Sequence, residues 1–315
     1  MDETARAAAL AVGAEPFGAE PFGAEPVGTE PVDAVLLECV AVPVGGSSGA
    51  ATAEVARLTG RVLVGGRASP FSMIRKRFRP VADGPHASAS REPAHWAYWR
   101  REPLAYGAGL LPGGPGLAAP PCFGVGDDVI YLADVAGPAE SATIAARRLG
   151  AWQADTPMPE VAWLGGHQLA QRIAVSVLDW SAVAVPDELP QIWERRFKLL
   201  AALERVPFVV SHGDFHLGNL IGGGALTTVL DWGAFGAGPL GADLAHLALS
   251  AGTDLFDAYL VGLCDRFDAE MAALGYHVTM ALVAASRVHW MRSRGVPVPQ
   301  GYLDLATVAM RRIIR

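Results

Sequence analysis

The stretch that decides the fold runs from residue 208 to residue 233 and reads FVVSHGDFHLGNLIGGGALTTVLDWG. Residues 208–210 form a short apolar run, which predicts a buried strand, and residues 229–230 predict a second one. Between them lie a polar loop and three consecutive glycines, which are typical of a tight turn between strands. The stretch therefore predicts two strands whose ends carry polar side chains.

Four of those side chains are His212, Asp214 and Asn219 in the loop, and Asp231 at the end of the second strand. Two carboxylates and an amide suit a hard cation such as Mg²⁺, which takes oxygen ligands and keeps waters and substrate phosphates. Phosphoryl transfer needs one carboxylate to orient and deprotonate a hydroxyl, and an amide with a second carboxylate to hold Mg²⁺ on the nucleotide. The stretch thus predicts a phosphoryl-transfer site.

The spacing His-Gly-Asp, four residues, Asn and then Asp-Trp-Gly resembles the catalytic and metal loops of the aminoglycoside phosphotransferase and choline kinase family, a distant relative of the protein kinases. The similarity continues through Gly236, Gly238 and the segment 241–245, Gly-Ala-Asp-Leu-Ala. This resemblance implies an α+β, bilobal protein-kinase-like fold, with a small β-rich N-lobe and a larger, mainly helical C-lobe. It also implies an ATP-dependent kinase with Mg²⁺ as cofactor and GTP as the alternative nucleotide.

The resemblance implies roles for several polar residues in and after the stretch, but gives His216 no clear role. Asp214 is the expected catalytic base or hydroxyl-orienting group, and Asn219 and Asp231 are the expected Mg²⁺ ligands. His212 is expected to brace the loop by hydrogen bonds. Asp243 is expected either to cap the helix that follows it or to brace the catalytic loop, in both cases without direct chemistry.

A candidate nucleotide lysine lies in the predicted strand over residues 71–78. Strand alternation places Lys76 on one face and Arg75 and Arg77 on the other. The resemblance implies that this lysine contacts the nucleotide phosphates, whereas a lone lysine in a basic strand is as often simply solvated.

The lysine's expected partner is a glutamate on the next helix, predicted over residues 93–111. Glu102 lies where the family carries that glutamate. Pro103 follows it and would remove a backbone donor and kink the helix, so Glu92 remains the alternative partner.

Two further nucleotide contacts are expected in the first lobe. The lobe has no G-x-G-x-x-G motif, and residues 65–69, Gly-Gly-Arg-Ala-Ser, are the candidate loop over the phosphates. The strand predicted over residues 129–135 corresponds to the hinge between lobes, and the resemblance implies that Leu132, Ala133 and Asp134 read the adenine edge.

Composition limits the remaining function classes. The formal net charge of −7 argues against general nucleic-acid binding. The three cysteines, Cys39, Cys122 and Cys264, form no metal pattern and suit a reduced cytoplasm. No apolar run reaches 18 residues and no secretory signal is evident, so we expect a cytoplasmic protein without a membrane span.

The chain divides into three predicted parts. Residues 1–32 contain a Glu-Pro repeat of period five, over residues 13–32, and are predicted to form a disordered tail. Residues 33–135 are predicted to form the nucleotide-binding N-lobe, and residues 136–315 the catalytic and acceptor-binding C-lobe. Helices of the C-lobe are predicted over residues 139–155, 191–206, 239–262, 267–293 and 302–314.

The acceptor is the least determined part of the prediction. The resemblance implies transfer to a hydroxyl of a small molecule, such as an antibiotic, a sugar or a natural-product intermediate. The chain ends in arginines and has few acids after residue 243, which disfavours a strongly cationic acceptor. A Ser/Thr hydroxyl of a peptide in natural-product biosynthesis, or a catalytically silent kinase-like binding protein, are the alternatives, because fold analogy does not decide between them.

Overall fold

The computed structural model describes residue 9, residues 34–45, residue 49 and residues 51–314. The first lobe contains an antiparallel five-stranded sheet in the order β1-β2-β3-β6-β5. Its strands are β1 (Ala34–Pro43), β2 (Thr52–Val64), β3 (Arg67–Phe78), β5 (Cys122–Val125) and β6 (Val129–Ala133). A three-residue strand, β4 (Gly116–Ala118), pairs instead with a strand of the second lobe.

The two faces of β3 carry different side chains, as alternation predicts. Phe71 and Met73 are buried on one face, where they pack in the same cluster as Leu58 of β2. Lys76 and Phe78 are buried on the opposite face. Strand β3 therefore has one face that contributes to an apolar cluster and an opposite face that carries a buried cation.

The helix predicted over residues 93–111 is shorter than expected: α1 spans Arg101–Gly107, and turns precede it. Pro103 is the third residue of α1, where a backbone N–H has no acceptor within the helix. Because proline costs little in a first turn, it lies at the start of the helix and does not kink it. Glu102 is consequently a first-turn residue, and its side chain is buried.

Arg101, immediately before Glu102, is fully buried and holds the segment in front of α1. Its guanidinium donates to the carbonyls of Pro93 and His95, both at 2.7 Å, and Trp96 at 2.6 Å. It also donates to the carbonyl of Trp163, at 3.2 Å, in the second lobe. Burial lowers the pKa of Arg101 to about 10, so it remains charged at neutral pH.

We expect Arg101→Ala to destabilise the fold by about 3 kcal/mol or more. The substitution would leave several buried carbonyls without donors, and each unsatisfied buried group costs roughly 1–3 kcal/mol. Denaturant unfolding monitored by circular dichroism measures the loss. The neighbouring exposed Arg91 offers a matched control, Arg91→Ala, for which we expect little change. Equal stability of the two variants would contradict the anchoring role.

The second lobe combines short strands with eight α-helices and three short turns of 3₁₀ helix between residues 142 and 314. Its strands are β7 (Phe208–Ser211), β8 (Leu220–Gly223), β9 (Leu226–Val229) and β10 (Gly236–Pro239). β7 pairs with β10, and β4, β9 and β8 form a three-stranded sheet. Eight of the helical segments matter below: α2 (Ala142–Asp155), α3 (Gln168–Val175), α4 (Glu188–Glu194), α5 (Arg196–Leu203), α6 (Ala242–Ala251), α7 (Phe256–Leu263), α8 (Ala269–Ser293) and α9 (Gln300–Ile314). The turns of 3₁₀ helix lie at Trp180–Ala182, Leu217–Asn219 and Trp232–Ala234.

Two predicted helices are each divided in the structure. The one over residues 191–206 is two helices, α4 and α5, which meet at Arg195. The one over residues 239–262 is α6 and α7, because Gly252 ends α6 in the left-handed conformation typical of a helix C-terminus. The α+β class is confirmed, with the helices concentrated after residue 142.

Helix α8 forms the centre of the second lobe. It has 25 residues and contains an 18-residue window with a mean hydropathy of 1.2, so it is long and apolar enough to cross a membrane, but 72% of that window is buried inside the protein. It packs against α4, α5, α6 and α9. Its composition is therefore that of a core helix.

The predicted disordered tail lies almost wholly outside the described residues. Ala9, its one described residue, is buried in the apolar cluster of the small-lobe sheet. All three cysteines lie in the described part of the chain and are free.

Candidate active site

A buried carboxylate fixes the loop that follows β7. Asp243, in the first turn of α6, is 1% exposed. It accepts hydrogen bonds from the backbone N–H groups of His212, at 2.8 Å, and Gly213, at 2.9 Å. The Ser211 hydroxyl donates to it at 3.0 Å, and the Gln153 amide at 3.2 Å. Burial raises the pKa of Asp243, whereas these four donors favour its ionised form. Of the two roles expected for it, the structure therefore supports the loop brace.

His212 joins this loop to the strand that leads to Asp231. Its Nε2 lies 2.9 Å from the carbonyl of Leu230, so the ring donates from Nε2. Its Nδ1 then accepts the backbone N–H of Asp214, at 3.2 Å. The imidazole is fully buried, and both of its nitrogens are used. These bonds match the bracing role expected for His212.

The carboxylate of Asp214 points into a cationic environment. His216 Nε2 lies 3.5 Å from its Oδ2, and Arg287 Nη2 lies 3.7 Å from its Oδ1. His216 Nδ1 accepts the N–H of Gly218, at 3.0 Å, so the neutral ring carries its proton on Nε2, facing Asp214. Burial alone would raise the pKa of Asp214, but His216 and the nearby histidines hold it well below its ordinary value. Asp214 is therefore ionised at neutral pH.

Asn219 is oriented by the same loop. Its Nδ2 donates to the backbone carbonyl of Asp214, at 3.0 Å, and its own backbone carbonyl accepts the N–H of Leu230, at 2.8 Å. With Nδ2 engaged, the side-chain oxygen of Asn219 faces away from that bond and is available as a ligand. The second bond places Asn219 beside the residue preceding Asp231.

Asp231 lies at the boundary between the lobes. Its backbone is left-handed, with φ 62° and ψ 70°, which is uncommon for a residue other than glycine and is concentrated at functional sites. Its Oδ1 lies 2.7 Å from Lys76 Nζ. Burial would raise the pKa of Asp231, but Lys76 lowers it below its ordinary value. The second carboxylate oxygen, Oδ2, makes no hydrogen bond or ion pair within the described part of the chain and is available for a cation.

Lys76 connects β3 of the small lobe to two carboxylates. Its Nζ lies 2.6 Å from Glu102 Oε2, and the Glu102 side chain is 1% exposed. Burial would lower the pKa of Lys76, but Glu102 and Asp231 raise it above its ordinary value, so Lys76 is charged. Glu92 is exposed, and it is Glu102 that contacts Lys76. The structure thus brings together four predicted residues: Lys76, Glu102, Asn219 and Asp231.

The donor set fits Mg²⁺ only together with a phosphate ligand. Among the described residues, no group of three or more histidine, cysteine, aspartate or glutamate side chains could hold a metal ion. Asn219 and Asp231 each offer one free side-chain oxygen, and Mg²⁺ bound by one or two protein groups completes its shell with waters and phosphate oxygens. Asn219 and Asp231 are the residues that would hold it.

The predicted hinge residues are already engaged within the small lobe. The Asp134 carboxylate accepts from Arg57 Nε, at 2.7 Å, and from the Ser72 hydroxyl, at 2.5 Å, and so ties β6 to β2 and β3. The N–H of Ala133 donates to Pro121, at 2.8 Å, and its carbonyl accepts from Val135, at 3.0 Å. Leu132 is buried in β6. An adenine contact by these three residues stays a prediction.

The proposed phosphate loop over residues 65–69 is wrong. It forms the turn between β2 and β3, where Gly65 and Gly66 both have positive φ. Arg67 and Lys76 lie nine positions apart on β3, which is about 30 Å along an extended strand. Val44, just after β1, lies at the correct end instead: its N–H donates to the carbonyl of Val55, and Val55 pairs with Lys76. The pairing of the strands, which was not predicted from the sequence, determines which of the two turns lies near Lys76.

Three basic residues beside Asp214 were not anticipated: Arg172, His246 and Arg287. Arg172 and His246 line a cavity together with Arg287, which also approaches Asp214. The only sequence signal is that His246 lies three residues after Asp243, on the same helix.

The chain matches the model of the phosphotransferase enzyme family over residues 128–278. That range contains the loop with Asp214 and Asn219, the strand end with Asp231, and Asp243. No curated protein matches the chain by sequence.

Solved structures share its fold. A putative fructosamine-3-kinase from Thermobifida fusca YX-ER1 is 18% identical, with a TM-score of 0.53 over 86% of this chain and 93% of that one. The GDP complex of aminoglycoside 2'-phosphotransferase-IIIa is 14% identical, with a TM-score of 0.52 over 89% and 94%. Choline kinase LicA from Streptococcus pneumoniae is 13% identical, with a TM-score of 0.50 over 89% and 94%. The predicted protein-kinase-like fold is confirmed.

Proposed function

Because the chain matches the model of the phosphotransferase enzyme family over residues 128–278, we propose that it transfers the γ-phosphate of ATP to a hydroxyl of a small molecule, with Mg²⁺ as cofactor. That it is a phosphotransferase enzyme follows from the family. ATP, Mg²⁺ and the small-molecule acceptor are the proposal. Its main support is the contact of Lys76 with both Glu102 and Asp231, which joins the two lobes at one charged site.

The reaction needs a group that takes a proton from the acceptor. Asp214 is ionised and held at the end of a braced loop, so it suits this role. In the proposed step the acceptor oxygen forms a bond to the γ-phosphorus, and its proton passes to Asp214. The bond from the γ-phosphorus to the bridging oxygen breaks, and ADP leaves with that electron pair.

The remaining charged residues act on the nucleotide. When bound, Mg²⁺ neutralises charge on the phosphates, and Asn219 and Asp231 would hold it. Lys76 would contact the phosphates while Glu102 keeps its ammonium in place. Since Glu102 is almost completely buried and Asp231 is partly exposed, Glu102 is the fixed partner of Lys76 and Asp231 is the one that can turn towards a ligand.

Structural neighbours support a small-molecule acceptor. They include an amicoumacin kinase in complex with AMP-PNP, Ca²⁺ and its antibiotic, as well as the choline kinase and the aminoglycoside phosphotransferase. These proteins are named for different small molecules, so they do not select the acceptor of this chain.

The test is release of ADP from Mg²⁺-ATP, measured with the full chain over a panel of hydroxylated small molecules. We expect acceptor-dependent ADP release, with one phosphate added to the acceptor by mass spectrometry. GTP in place of ATP tests the alternative nucleotide. Binding of Mg²⁺-ATP without transfer to any acceptor would favour a silent binding protein.

A further inference from the structure

A cavity of about 70 Å³ lies next to the predicted catalytic base, and helices α3, α4, α6 and α8 line it. Gln168 and Arg172 contribute from α3, and Ser286 and Arg287 from α8. Because Arg287 also lies 3.7 Å from Asp214 Oδ1, the cavity adjoins the carboxylate that would orient an acceptor hydroxyl. Its position makes it the candidate binding site for the remainder of that acceptor.

The charge in this cavity is positive and incompletely balanced. Among the described residues, Asp214 is the one carboxylate within 4 Å of Arg287, and none lies within 4 Å of Arg172. Arg172 is exposed and has its guanidinium over the Trp96 ring, at 5.2 Å from the centroid, a contact that holds the side chain without neutralising it. Of the two guanidinium groups, only that of Arg287 therefore has a carboxylate within 4 Å.

His246 orients one of these guanidiniums without adding negative charge. Its Nδ1 lies 3.3 Å from Arg287 Nη2 and, as a neutral ring, accepts that hydrogen bond. Burial and Arg287 lower the pKa of His246 to about 3, so the ring stays neutral. Arg287 is thus positioned between a neutral acceptor and Asp214.

Arginine in such a setting selects planar anions. A guanidinium group presents paired N–H donors that match both oxygens of a carboxylate, and such charged hydrogen bonds are stronger than neutral ones. A cationic acceptor would meet two like charges in the same cavity, which disfavours it. Gln168 and Ser286 add neutral hydrogen-bonding groups for the rest of a polar molecule.

We infer that the phosphate acceptor carries a carboxylate or similar compact anionic group, which Arg172 and Arg287 bind next to the hydroxyl oriented by Asp214. The inference rests on the proposed function, because it names the substrate class of that same site. It predicts hydroxy acids as acceptors, in preference to amines or neutral alcohols of the same size.

Matched pairs of hydroxy acids and their neutral analogues test this inference. The probes are glycolate and glycolamide, 3-hydroxybutyrate and its amide, 4-hydroxybenzoate and its amide, and gluconate and glucose. Thermal-shift titrations at constant ionic strength, with Mg²⁺ and AMP-PNP present, give an apparent affinity for each. We expect at least one acid to bind more tightly than its analogue. In Arg172→Gln and Arg287→Gln that preference should fall roughly 10-fold or more, the worth of a charged hydrogen bond.

Arg292→Gln is the control on the same helix, because Arg292 is exposed and does not line the cavity. We expect it to bind every probe as the wild type does. Melting temperatures of the ligand-free variants establish that each one folds. The same pairs, used as acceptors with ATP, should give faster ADP release for the acid than for its analogue.

Two results overturn the inference. One is an equal shift by acid and analogue in all four pairs. The other is a pattern in which the arginine variants bind AMP-PNP more weakly than the wild type does, but bind ADP and the acid probes with unchanged affinity. That pattern would show that the guanidinium groups contact the γ-phosphate and not the acceptor. Because the binding assay needs no turnover, it tests the acceptor class separately from the proposed function. Failure of the protein to bind or use Mg²⁺-ATP would contradict the proposed function but not the inference about the acceptor.

Discussion

Asp214→Asn is expected to lower the turnover number by about 10²–10⁴-fold, the usual contribution of a positioned acid–base group. Asparagine has nearly the same shape, and the backbone N–H of residue 214 would still donate to His212. The amide oxygen can still accept a hydrogen bond from an acceptor hydroxyl, but it does not take the proton. The loop should therefore keep its form while proton transfer is lost.

Two measurements together decide this prediction. Turnover is measured as ADP release with the best acceptor found, and nucleotide binding is measured by titration calorimetry with Mg²⁺-ATP. We expect the dissociation constant for Mg²⁺-ATP and the melting temperature to stay close to those of the wild type. Asp187→Asn, at an exposed position before α4, is the control for the same chemical change and should be fully active. Wild-type turnover in Asp214→Asn would remove Asp214 from the proton transfer.

The site residues that sequence could predict are those whose placement is local. Asp214 and Asn219 share one loop, and Asp231 ends a strand that pairs with the next strand in the chain. Their spacing alone brings them close together. The side of β3 on which Lys76 lies was predictable for the same reason, since alternation within a single strand fixes it.

The segment before Glu102 shows where local apolar spacing fails to predict the structure. Apolar spacing predicted a helix from residue 93, but the segment in front of Arg101 forms turns. The guanidinium of Arg101 stabilises these turns by donating hydrogen bonds to three of their carbonyls. A buried arginine bound to carbonyls leaves no periodic signal in the sequence. The kink expected at Pro103 did not occur, because the helix starts only two residues earlier.

Features that depend on tertiary packing were beyond the sequence. The choice between two glycine-containing turns required the pairing of β1 with β2 and of β2 with β3. Arg172 and Arg287 lie on α3 and α8, which are far apart in the chain, and only the packing of these helices brings both to one cavity. From the sequence alone, each of these arginines would be interpreted as a solvated surface cation.

Asp231→Ala is expected to remove the coupling between Mg²⁺ and ATP and to lower kcat/KM by roughly 10²–10³-fold or more, as loss of a group that stabilises transition-state charge does. In the wild type, Mg²⁺ should bind weakly by itself, because two protein oxygens do not complete its shell. ATP supplies the missing oxygens. By linkage, Mg²⁺ then raises the affinity for ATP by the same factor that ATP raises the affinity for Mg²⁺.

The substitution also removes one of the two partners of Lys76. Glu102 remains at 2.6 Å and is the more deeply buried of the two carboxylates, so Lys76 should keep its position and charge. The variant is therefore expected to fold and to retain the contacts of the nucleotide base. What it should lose is the carboxylate oxygen that faces the phosphates.

Titration calorimetry of ATP with and without Mg²⁺, on wild type and Asp231→Ala, tests the assignment. Asp128→Ala is the matched control, because Asp128 is a partly exposed small-lobe aspartate whose ion pair with Arg77, at 3.3 Å, lies away from the site. We expect strong coupling in the wild type and in Asp128→Ala, and equal affinity with and without Mg²⁺ in Asp231→Ala. Full coupling in Asp231→Ala would exclude Asp231 as a metal ligand, and its contact with Lys76 would then be a structural ion pair between the lobes.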